Sequence, residues 1–317
     1  MNKKAISALL ALATAGIVAA SVTAASASPA PAPAGVHFDY AKGQLPENVV
    51  LEPEGTADLT FAAARQVAAV SPAGSVRILA TMPLPADGGV HTPVLGFALT
   101  TGIDRASDGT LYFLYASGTA DLTGVWRLRP GGTPHRIAAL PAAGLPNGLA
   151  LDARHGMLYL TDSVLGRIMR VPVAGGRATT WAAGPELAAT GFLGANGLKL
   201  HDDALWASNL DQGTLLRLPL HPGPRDETVQ VKATGLSGID DFAFTGSGDE
   251  VLAARDAPNT VVRIRPGHPV TTVLDGADGL QNPTSVALRG NTLYVLSAAY
   301  TTATDPNLLL VRAPRRL

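Results

Sequence analysis

Two Asn-Gly pairs in matching surroundings are the first residues of this sequence that point to chemistry. Asn147-Gly148 stands directly before an alternating apolar run in "LPNGLALDARHGMLYLTDS", and Asn196-Gly197 repeats the arrangement 49 residues later in "GANGLKLHDDALWASN". A single Asn-Gly pair before a strand is ordinary turn chemistry. The repetition indicates instead that both asparagines occupy one position of a structural repeat.

Four further residues fall at the same point of the repeat, namely Glu47, Thr101, Asp240 and Thr284. In chain order, the six positions are separated by 54, 46, 49, 44 and 44 residues. If they converge, two carboxylates and two amide oxygens form an oxygen-only site, with Asn48 and Asp241 as spare donors. Such donors suit Ca²⁺ best, with Mg²⁺ and Mn²⁺ as alternatives, whereas zinc prefers His or Cys. The alternative is that each residue is only a turn former or a cap at a strand start.

The elements that would bring these positions together are short strands in a sixfold repeat. An apolar-Arg-apolar segment with a nearby proline recurs as "GVWRLRPGG", "GRIMRVPVAGG", "GTLLRLPLHPG", "TVVRIRPGH" and "LLLVRAP", with a degenerate copy, "RQVAAVSPAG". Two alternating apolar runs precede each copy, and no helical period is convincing. Six copies with four strands each predict an all-β, six-bladed β-propeller. We expect the recurring arginines, such as Arg170, to be structural and to lie away from the propeller axis.

Strand spacing within the repeats predicts how the ring closes. The third copy is the clearest, with strands at 147–153, 157–163, 167–173 and 178–184. The sixth copy ends after three strands, and residues 36–40, "VHFDY", would supply the fourth and close the ring. The first strand of every blade would line a central channel, so all six repeat positions would meet at one mouth.

The N-terminal residues are typical of an exported protein. Lys3 and Lys4, an apolar stretch and Ala25-Ser26-Ala27 predict a signal peptide over residues 1–27, with a retained membrane anchor as the alternative. Residues 28–35 form a Pro/Ala linker, and residues 36–317 form the propeller domain. We therefore expect a secreted protein that has no membrane contact after cleavage of the signal.

Charge and cysteine content narrow the class of function. Cleavage at residue 27 removes two of the 24 basic residues and none of the 25 acidic ones, which leaves a net charge of about −3. Such a surface argues against nucleic acid or an anionic membrane as a partner. The chain has no cysteine, which excludes disulfides, thiol catalysis and thiolate metal sites. We expect a monomer that binds a small molecule.

The motifs at the repeat positions resemble the senescence-marker-protein/gluconolactonase (regucalcin-like) propellers and, more distantly, the paraoxonases. The likeness spans the mature chain and rests on "PEN", "PNGLA", "ANGLKL" and "IDDF". It implies that Glu47, Asn147, Asn196 and Asp240 hold a divalent metal under the substrate, with Asp241 as a further ligand. Calcium is the expected ion, and magnesium, manganese and zinc also occur in the family.

Two departures from the family pattern concern the substrate. Sugar-lactonase members usually carry an arginine two residues before the third-blade asparagine, where this chain has Leu145. The connections at 82–97 and 181–195, which should cover the metal face, are also apolar. These departures favour a lactone or ester that is less polar than an aldonolactone.

The hypothesis from sequence is a metal-dependent hydrolase of lactones or esters, in which the metal polarises the carbonyl. Asp240, Glu47 or His91 would activate water, His91 because it lies on a long connection entering the metal face; the alternative is a solvated loop histidine. The chain has no Gly-x-Ser-x-Gly segment, so a serine nucleophile has no support. Two rivals remain: a non-catalytic ligand- or protein-binding propeller, and a strictosidine-synthase-like natural-product enzyme.

Overall fold

Residues 34–88, 91–221 and 228–313 are described by the computed structural model of this chain. The predicted signal peptide lies outside these residues, as does all of the predicted linker except Ala34 and Gly35. Within the described residues, no helix is long and apolar enough to cross a membrane. Three short 3₁₀ helices occur there, at Tyr40–Lys42, Pro185–Leu187 and Gly276–Asp278.

Twenty-four strands of the described chain form six four-stranded antiparallel sheets, as the repeats predict. Blade 1 contains, from the innermost strand outward, β2 (Pro46–Leu51), β3 (Ala57–Phe61), β4 (Gln66–Val70) and β5 (Val76–Thr81). Blade 2 contains β6 (Leu99–Arg105), β7 (Leu111–Ala116), β8 (Gly124–Leu128) and β9 (His135–Ala139). Blade 3 contains β10 (Pro146–Asp152), β11 (Met157–Asp162), β12 (Arg167–Pro172) and β13 (Thr179–Ala183).

The remaining three blades follow the same pattern. Blade 4 contains β14 (Ala195–His201), β15 (Ala204–Asn209), β16 (Thr214–Pro219) and β17 (Gln230–Ala233). Blade 5 contains β18 (Ile239–Phe244), β19 (Val251–Arg255), β20 (Thr260–Ile264) and β21 (Thr271–Leu274). Blade 6 contains β22 (Pro283–Arg289), β23 (Thr292–Ser297), β24 (Asn307–Arg312) and β1 (Ala34–His37).

The N-terminal strand closes the ring as predicted, although its bounds differ. β1 pairs antiparallel with β24, with Val36 opposite Leu308, and is the outermost strand of blade 6. It runs over Ala34–His37 rather than the predicted 36–40. It ends there because Asp39 caps the 3₁₀ helix at Tyr40–Lys42, its side chain accepting a hydrogen bond from the Lys42 amide.

Six hydrophobic clusters hold the ring together, one between each pair of neighbouring blades. Between blades 4 and 5, for example, Trp206 and Phe242 are fully buried in one cluster. Burying a side chain of this size stabilises the fold by about 1.5–3 kcal/mol. Arg170, on β12, is exposed and two strands away from the innermost one, as predicted.

Candidate metal centre at the mouth of the channel

Each innermost strand carries a β-bulge at the repeat position that the sequence singles out. In blade 3, Pro146 pairs with Asp162 and Leu149 with Leu160, so Asn147 and Gly148 oppose a single residue of β11. The same irregularity occurs in the other five blades, at Glu47-Asn48, Thr101-Gly102, Asn196-Gly197, Asp240-Asp241 and Thr284. A bulge bends the strand and redirects its side chains. The six positions are therefore equivalent in structure as well as in sequence.

Glycine follows both asparagines because the next blade comes very close. A Cβ on Gly148 would lie 2.3 Å from the carbonyl oxygen of Asn196, and one on Gly197 would lie 2.7 Å from that of Asp240. In the same way, a Cβ on Gly102 in blade 2 would lie 2.3 Å from the carbonyl oxygen of Asn147. None of these three glycines adopts a positive φ. The Asn-Gly pairs thus reflect close contact between inner strands rather than turn chemistry.

Hydroxyl groups on the second strands fix these bulges to the next blade. Thr161 Oγ1 accepts a hydrogen bond from the Gly148 amide at 2.7 Å and donates to the Asn196 carbonyl oxygen at 2.5 Å. Ser208 makes the corresponding pair of hydrogen bonds with the Gly197 amide and the Asp240 carbonyl oxygen. Hydrogen bonds from these two hydroxyls to main-chain atoms of neighbouring blades therefore help to fix Asn147, Asn196 and Asp240.

Glu47 lies in the channel mouth with 8% of its surface exposed. Burial raises the pKa of its carboxyl to about 7; the hydrogen bond from Tyr300 opposes this rise, and the charges of Asp256 and Asp241 add to it. Tyr300 Oη donates that hydrogen bond to Glu47 Oε2 at 2.5 Å. One carboxylate oxygen of Glu47 is thus held by a phenol from blade 6.

Asp240 is buried beside Glu47. Burial raises the pKa of Asp240 well above its usual value, and the charges of Glu47, Asp256 and Asp241 raise it further, whereas Asn196 lowers it. Within the described chain, no lysine, arginine or histidine forms an ion pair with Glu47 or Asp240. Two carboxyl groups therefore share a buried site that lacks a compensating side-chain cation.

The two asparagines complete the set, which we call the mouth ring (Glu47, Asn147, Asn196 and Asp240). Asn147 Nδ2 donates to Ser163 Oγ at 3.1 Å, and no hydrogen bond from the described residues reaches its Oδ1. Both asparagines are buried. The mouth ring thus offers two carboxylates and two amide groups from four blades.

Asp241 and Asn48, the two spare donors of the sequence prediction, contact each other instead of remaining free. Asp241 Oδ2 accepts hydrogen bonds from Asn48 Nδ2 at 3.1 Å, Lys199 Nζ at 2.7 Å and Ser285 Oγ at 2.8 Å. Its charge is therefore balanced by an ammonium group. A metal-ligating role for Asp241 stays a prediction.

His91 lies on the connection between β5 and β6, of which residues 89 and 90 are not described. Its side chain is 53% exposed, and its Nε2 contacts Asp87 Oδ2 at 3.1 Å. No hydrogen bond or ion pair of the described residues joins it to the mouth ring. Its role as a base also stays a prediction.

Sequence reasoning missed two residues at this site. Asp256 follows β19, and its pKa is raised to about 6 by burial. Tyr300 follows β23 and donates to Glu47. A comparison of the residues that follow the second strands would have found Asp256, because "AARDAPN" has an acid where the third repeat has Ser163. Tyr300 has no counterpart at its point of the repeat and gives no such signal.

Apolar side chains surround the mouth ring. One cluster, the apolar collar, draws on five blades and contains Leu45, Ala62, Leu99, Ala116, Leu145, Leu193 and Ala298. On the adjoining connections, Val94 is 57% exposed and Phe192 is 47% exposed. Leu145, the residue that departs from the sugar-lactonase pattern, is buried in the collar. The immediate surroundings of the mouth ring are thus predominantly apolar.

The opposite end of the channel is linked to this site by Lys199, which lines a cavity there and donates to Asp241, the neighbour of Asp240. A cavity of about 390 Å³ opens there among the last residues of the inner strands, with Asp104 and Lys199 as its charged lining residues. On the same face, His201, Asp202 and Asp249 have potential ligand atoms within 4.8 Å of one another. Asp202 is exposed there, and His201 stacks on Phe244 at 3.7 Å between ring centroids.

The donor set of the mouth ring fits a hard divalent cation. Ca²⁺ takes oxygen ligands from carboxylates and amide carbonyls, and the mouth ring offers these without a histidine. Glu47 and Asp240 carry raised pKa values because each adds negative charge to a buried site, and a bound cation would remove that penalty. The ring therefore suits calcium or magnesium better than zinc.

Comparison with known proteins identifies the fold but does not assign the chain to a family. No family model and no curated protein matches the sequence. Among solved structures, the calcium-binding protein regucalcin from Agrobacterium tumefaciens is 17% identical, with a TM-score of 0.63 over 89% of this chain and 96% of that one. A glucose dehydrogenase is 16% identical, with a TM-score of 0.62 over 86% and 97% of the two chains.

A third similar structure is a catalytically inactive virginiamycin B lyase from Staphylococcus aureus with quinupristin. It is 16% identical, with a TM-score of 0.59 over 85% of this chain and 82% of that one. The three proteins are a calcium-binding protein, a dehydrogenase and a lyase, and at this identity the likeness extends to architecture alone. This chain is similar in fold to all three: it is a six-bladed β-propeller.

Proposed function

We propose that this chain is an exported, calcium-dependent hydrolase of lactones or esters with an apolar acyl or aryl portion. The observation that carries the proposal is the mouth ring itself, in which two buried carboxyls and two amides lack a side-chain counter-cation. A propeller that only binds a partner has no need for such an arrangement. The similar regucalcin from Agrobacterium tumefaciens is a calcium-binding protein, which agrees with the proposal.

The residues of the mouth ring would hold the ion through oxygen atoms. Ser163 accepts a hydrogen bond from the Asn147 amide nitrogen, which leaves the amide oxygen for the ion. Tyr300 fixes one oxygen of Glu47, so the other oxygen is presented in a defined direction. When bound, a divalent cation polarises the substrate carbonyl and stabilises the developing oxyanion.

The apolar collar would determine which substrates fit. Partly buried apolar residues packed on the collar, such as Leu95 and Phe97, would cover the hydrocarbon portion of the substrate and exclude water from the reacting carbonyl. Leu145 cannot donate hydrogen bonds to the hydroxyl groups of a sugar lactone from its side chain. We therefore propose that alkyl lactones and aryl esters are preferred to aldonolactones.

The test is a hydrolysis screen with and without chelator. We expect turnover of alkyl lactones or aryl esters that is abolished by chelator and restored by calcium. Asp240→Ala should lower turnover at least 1,000-fold, because it removes a charge from the ring. Arg170→Ala, on the exposed side of blade 3, is the control and should stay within twofold of wild type.

Two results would contradict the proposal. Full turnover in Asp240→Ala with chelator present would remove the metal-dependent mechanism. Absence of any hydrolysis across the screen would favour a non-catalytic binding propeller, or a natural-product enzyme with another reaction at the same mouth.

A further inference from the structure

The residue that follows the second strand of a blade lies beside the mouth-ring residue of the same blade. In blade 3, the ladder pairs Pro146 with Asp162, and the next residue, Ser163, accepts a hydrogen bond from Asn147 at 3.1 Å. In blade 5, the ladder pairs Ile239 with Arg255 in the same way. Asp256 therefore occupies the place of Ser163, next to Asp240.

Asp256 brings to this mouth a carboxylate that no hydrogen bond of the described residues engages. Its Oδ1 is enclosed without a partner, and no hydrogen bond from the described residues reaches its Oδ2. Glu47, by contrast, is held by Tyr300. A buried polar atom without a partner requires an explanation, and an unrecorded water or a catalytic role are the usual ones.

The main chain of Asp256 is firmly anchored, so the free carboxylate is not a sign of a loose segment. Its amide donates to the Gly238 carbonyl oxygen at 2.9 Å, and its carbonyl oxygen accepts from the Asn259 amide at 2.9 Å. Asn282 Nδ2 donates to the same carbonyl oxygen at 3.3 Å. The fold thus holds the backbone in place and leaves the side chain uncommitted.

We propose that Asp256 is the general base of this enzyme, holding the attacking water beside Asp240 and taking its proton. The inference rests on the proposed hydrolase function and deepens it. A base must lie within hydrogen-bond reach of the water and must not be occupied by another partner. Asp256 meets the second condition, whereas Glu47 and Asp240 belong to the set that would hold the ion, and His91 contacts Asp87.

The step balances without a further reactant. Asp256 accepts one proton of the water as the water oxygen bonds to the carbonyl carbon and the carbonyl π pair moves to its oxygen. That pair then re-forms the carbonyl while the bond between the acyl carbon and the leaving oxygen breaks. The leaving oxygen takes the proton back from Asp256, so ester and water give acid and alcohol, and the carboxylate is regenerated.

The experiment separates a base from a metal ligand by measuring turnover and calcium affinity on the same variants. For Asp256→Asn we expect kcat to fall 100- to 1,000-fold at saturating calcium, with the calcium Kd, from calorimetry, within threefold of wild type. For Asp256→Ala we expect added formate to restore turnover at least tenfold. Asp203→Asn, an exposed Asp-to-Asn change at the opposite face, is the matched control and should leave both quantities unchanged. Asp256→Ser introduces the residue type that blade 3 has at the equivalent position, Ser163. This variant replaces Asp256→Asn and Asp256→Ala in the test if those two do not fold.

The outcomes distinguish this inference from the proposed function. If kcat of Asp256→Asn and Asp256→Ser stays within threefold of wild type, Asp256 is not the base. If the calcium Kd of these variants rises as much as that of Asp240→Asn, Asp256 is a ligand and the inference is wrong. If the wild type binds calcium but hydrolyses no lactone or ester, the proposed function itself fails and the base is overturned with it.

Discussion

Glu47 is held at one carboxylate oxygen by the phenol of Tyr300. Tyr300 reaches it from blade 6, and this hydrogen bond is the single favourable interaction acting on the ionised form of Glu47, against burial and two neighbouring carboxyls. Partners of this kind fix the orientation of a ligating carboxylate and raise metal affinity. Tyr300 is thus a positioning residue for the mouth ring.

Tyr300→Phe tests this interpretation at the residue scale. Loss of the hydroxyl should lower calcium affinity about tenfold, because Glu47 loses the donor that orients and stabilises its charged form. Isothermal calorimetry measures the change. Tyr294→Phe is the matched control, since Tyr294 Oη donates to the Gly55 carbonyl oxygen and is not part of the mouth ring. Equal affinities in wild type and Tyr300→Phe would show that Tyr300 does not position Glu47.

The bulged inner strand is the element that makes the site. Each bulge places a residue at the mouth, and a second-strand hydroxyl or a glycine accommodates the neighbouring blade. Because Gly148 has the Asn196 carbonyl oxygen within 2.3 Å of where a Cβ would lie, the spacing between blades 3 and 4 depends on that glycine. Stability and site geometry are therefore coupled through the inner strands.

Gly148→Ala is predicted to destabilise the fold by about 3 kcal/mol, because the new methyl group forces two backbones apart. The free energy of unfolding in urea measures this loss. Calcium affinity should fall in the same variant, since Asn147 and Asn196 both move. Gly191→Ala is the control, because the nearest atom to its Cβ would be 4.0 Å away. A neutral Gly148→Ala would contradict the close-approach argument.

The sequence predicts the fold and the bulge position because the same kind of residue recurs at the same point of each repeat. Strand alternation and the recurring segments predict six blades, and the spacing of the two Asn-Gly pairs identifies the bulge position. Asp256 and Tyr300 could not be assigned from the repeat phase of the inner strand, because they come from the connections that follow second strands. The pairing of Asp241 with Lys199 depends on a contact between blades, which no local pattern encodes.

At the scale of the whole molecule, buried acids occur at the mouth ring and also away from it. The pKa of Glu47 is raised to about 7 mainly by burial, and that of Asp58, on β3 away from the mouth, is raised to about 7 mainly by burial. A carboxyl whose folded pKa is raised favours the folded state fully below its unfolded pKa, which is 4.5 for Glu47 and 3.8 for Asp58, and loses this contribution as pH rises through 7. Without metal, stability should therefore fall between pH 5 and pH 8.

The melting temperature of the metal-free protein, measured as a function of pH, tests this predicted loss of stability. We expect a fall of roughly 5–10 °C from pH 5 to pH 8, since a shift of this size for Glu47 corresponds to about 3 kcal/mol. Millimolar calcium should reverse the part of the fall that comes from the mouth ring, because the ion binds the deprotonated ring. Glu47→Gln should reduce the part of the fall that calcium reverses and leave the part due to Asp58 unchanged. A profile independent of pH in chelator would contradict the assignment.

Calcium binding to the intact chain tests the central claim most directly, because the hydrolase proposal and its base both depend on an ion in the mouth ring. Calorimetric titration of the chelator-treated protein at pH 8 should show one ion per chain, and Asp240→Asn should weaken binding at least 100-fold. Arg170→Ala should bind as the wild type does. If the wild type binds no calcium at millimolar concentration, or if Asp240→Asn binds it equally well, the mouth ring is not a metal centre.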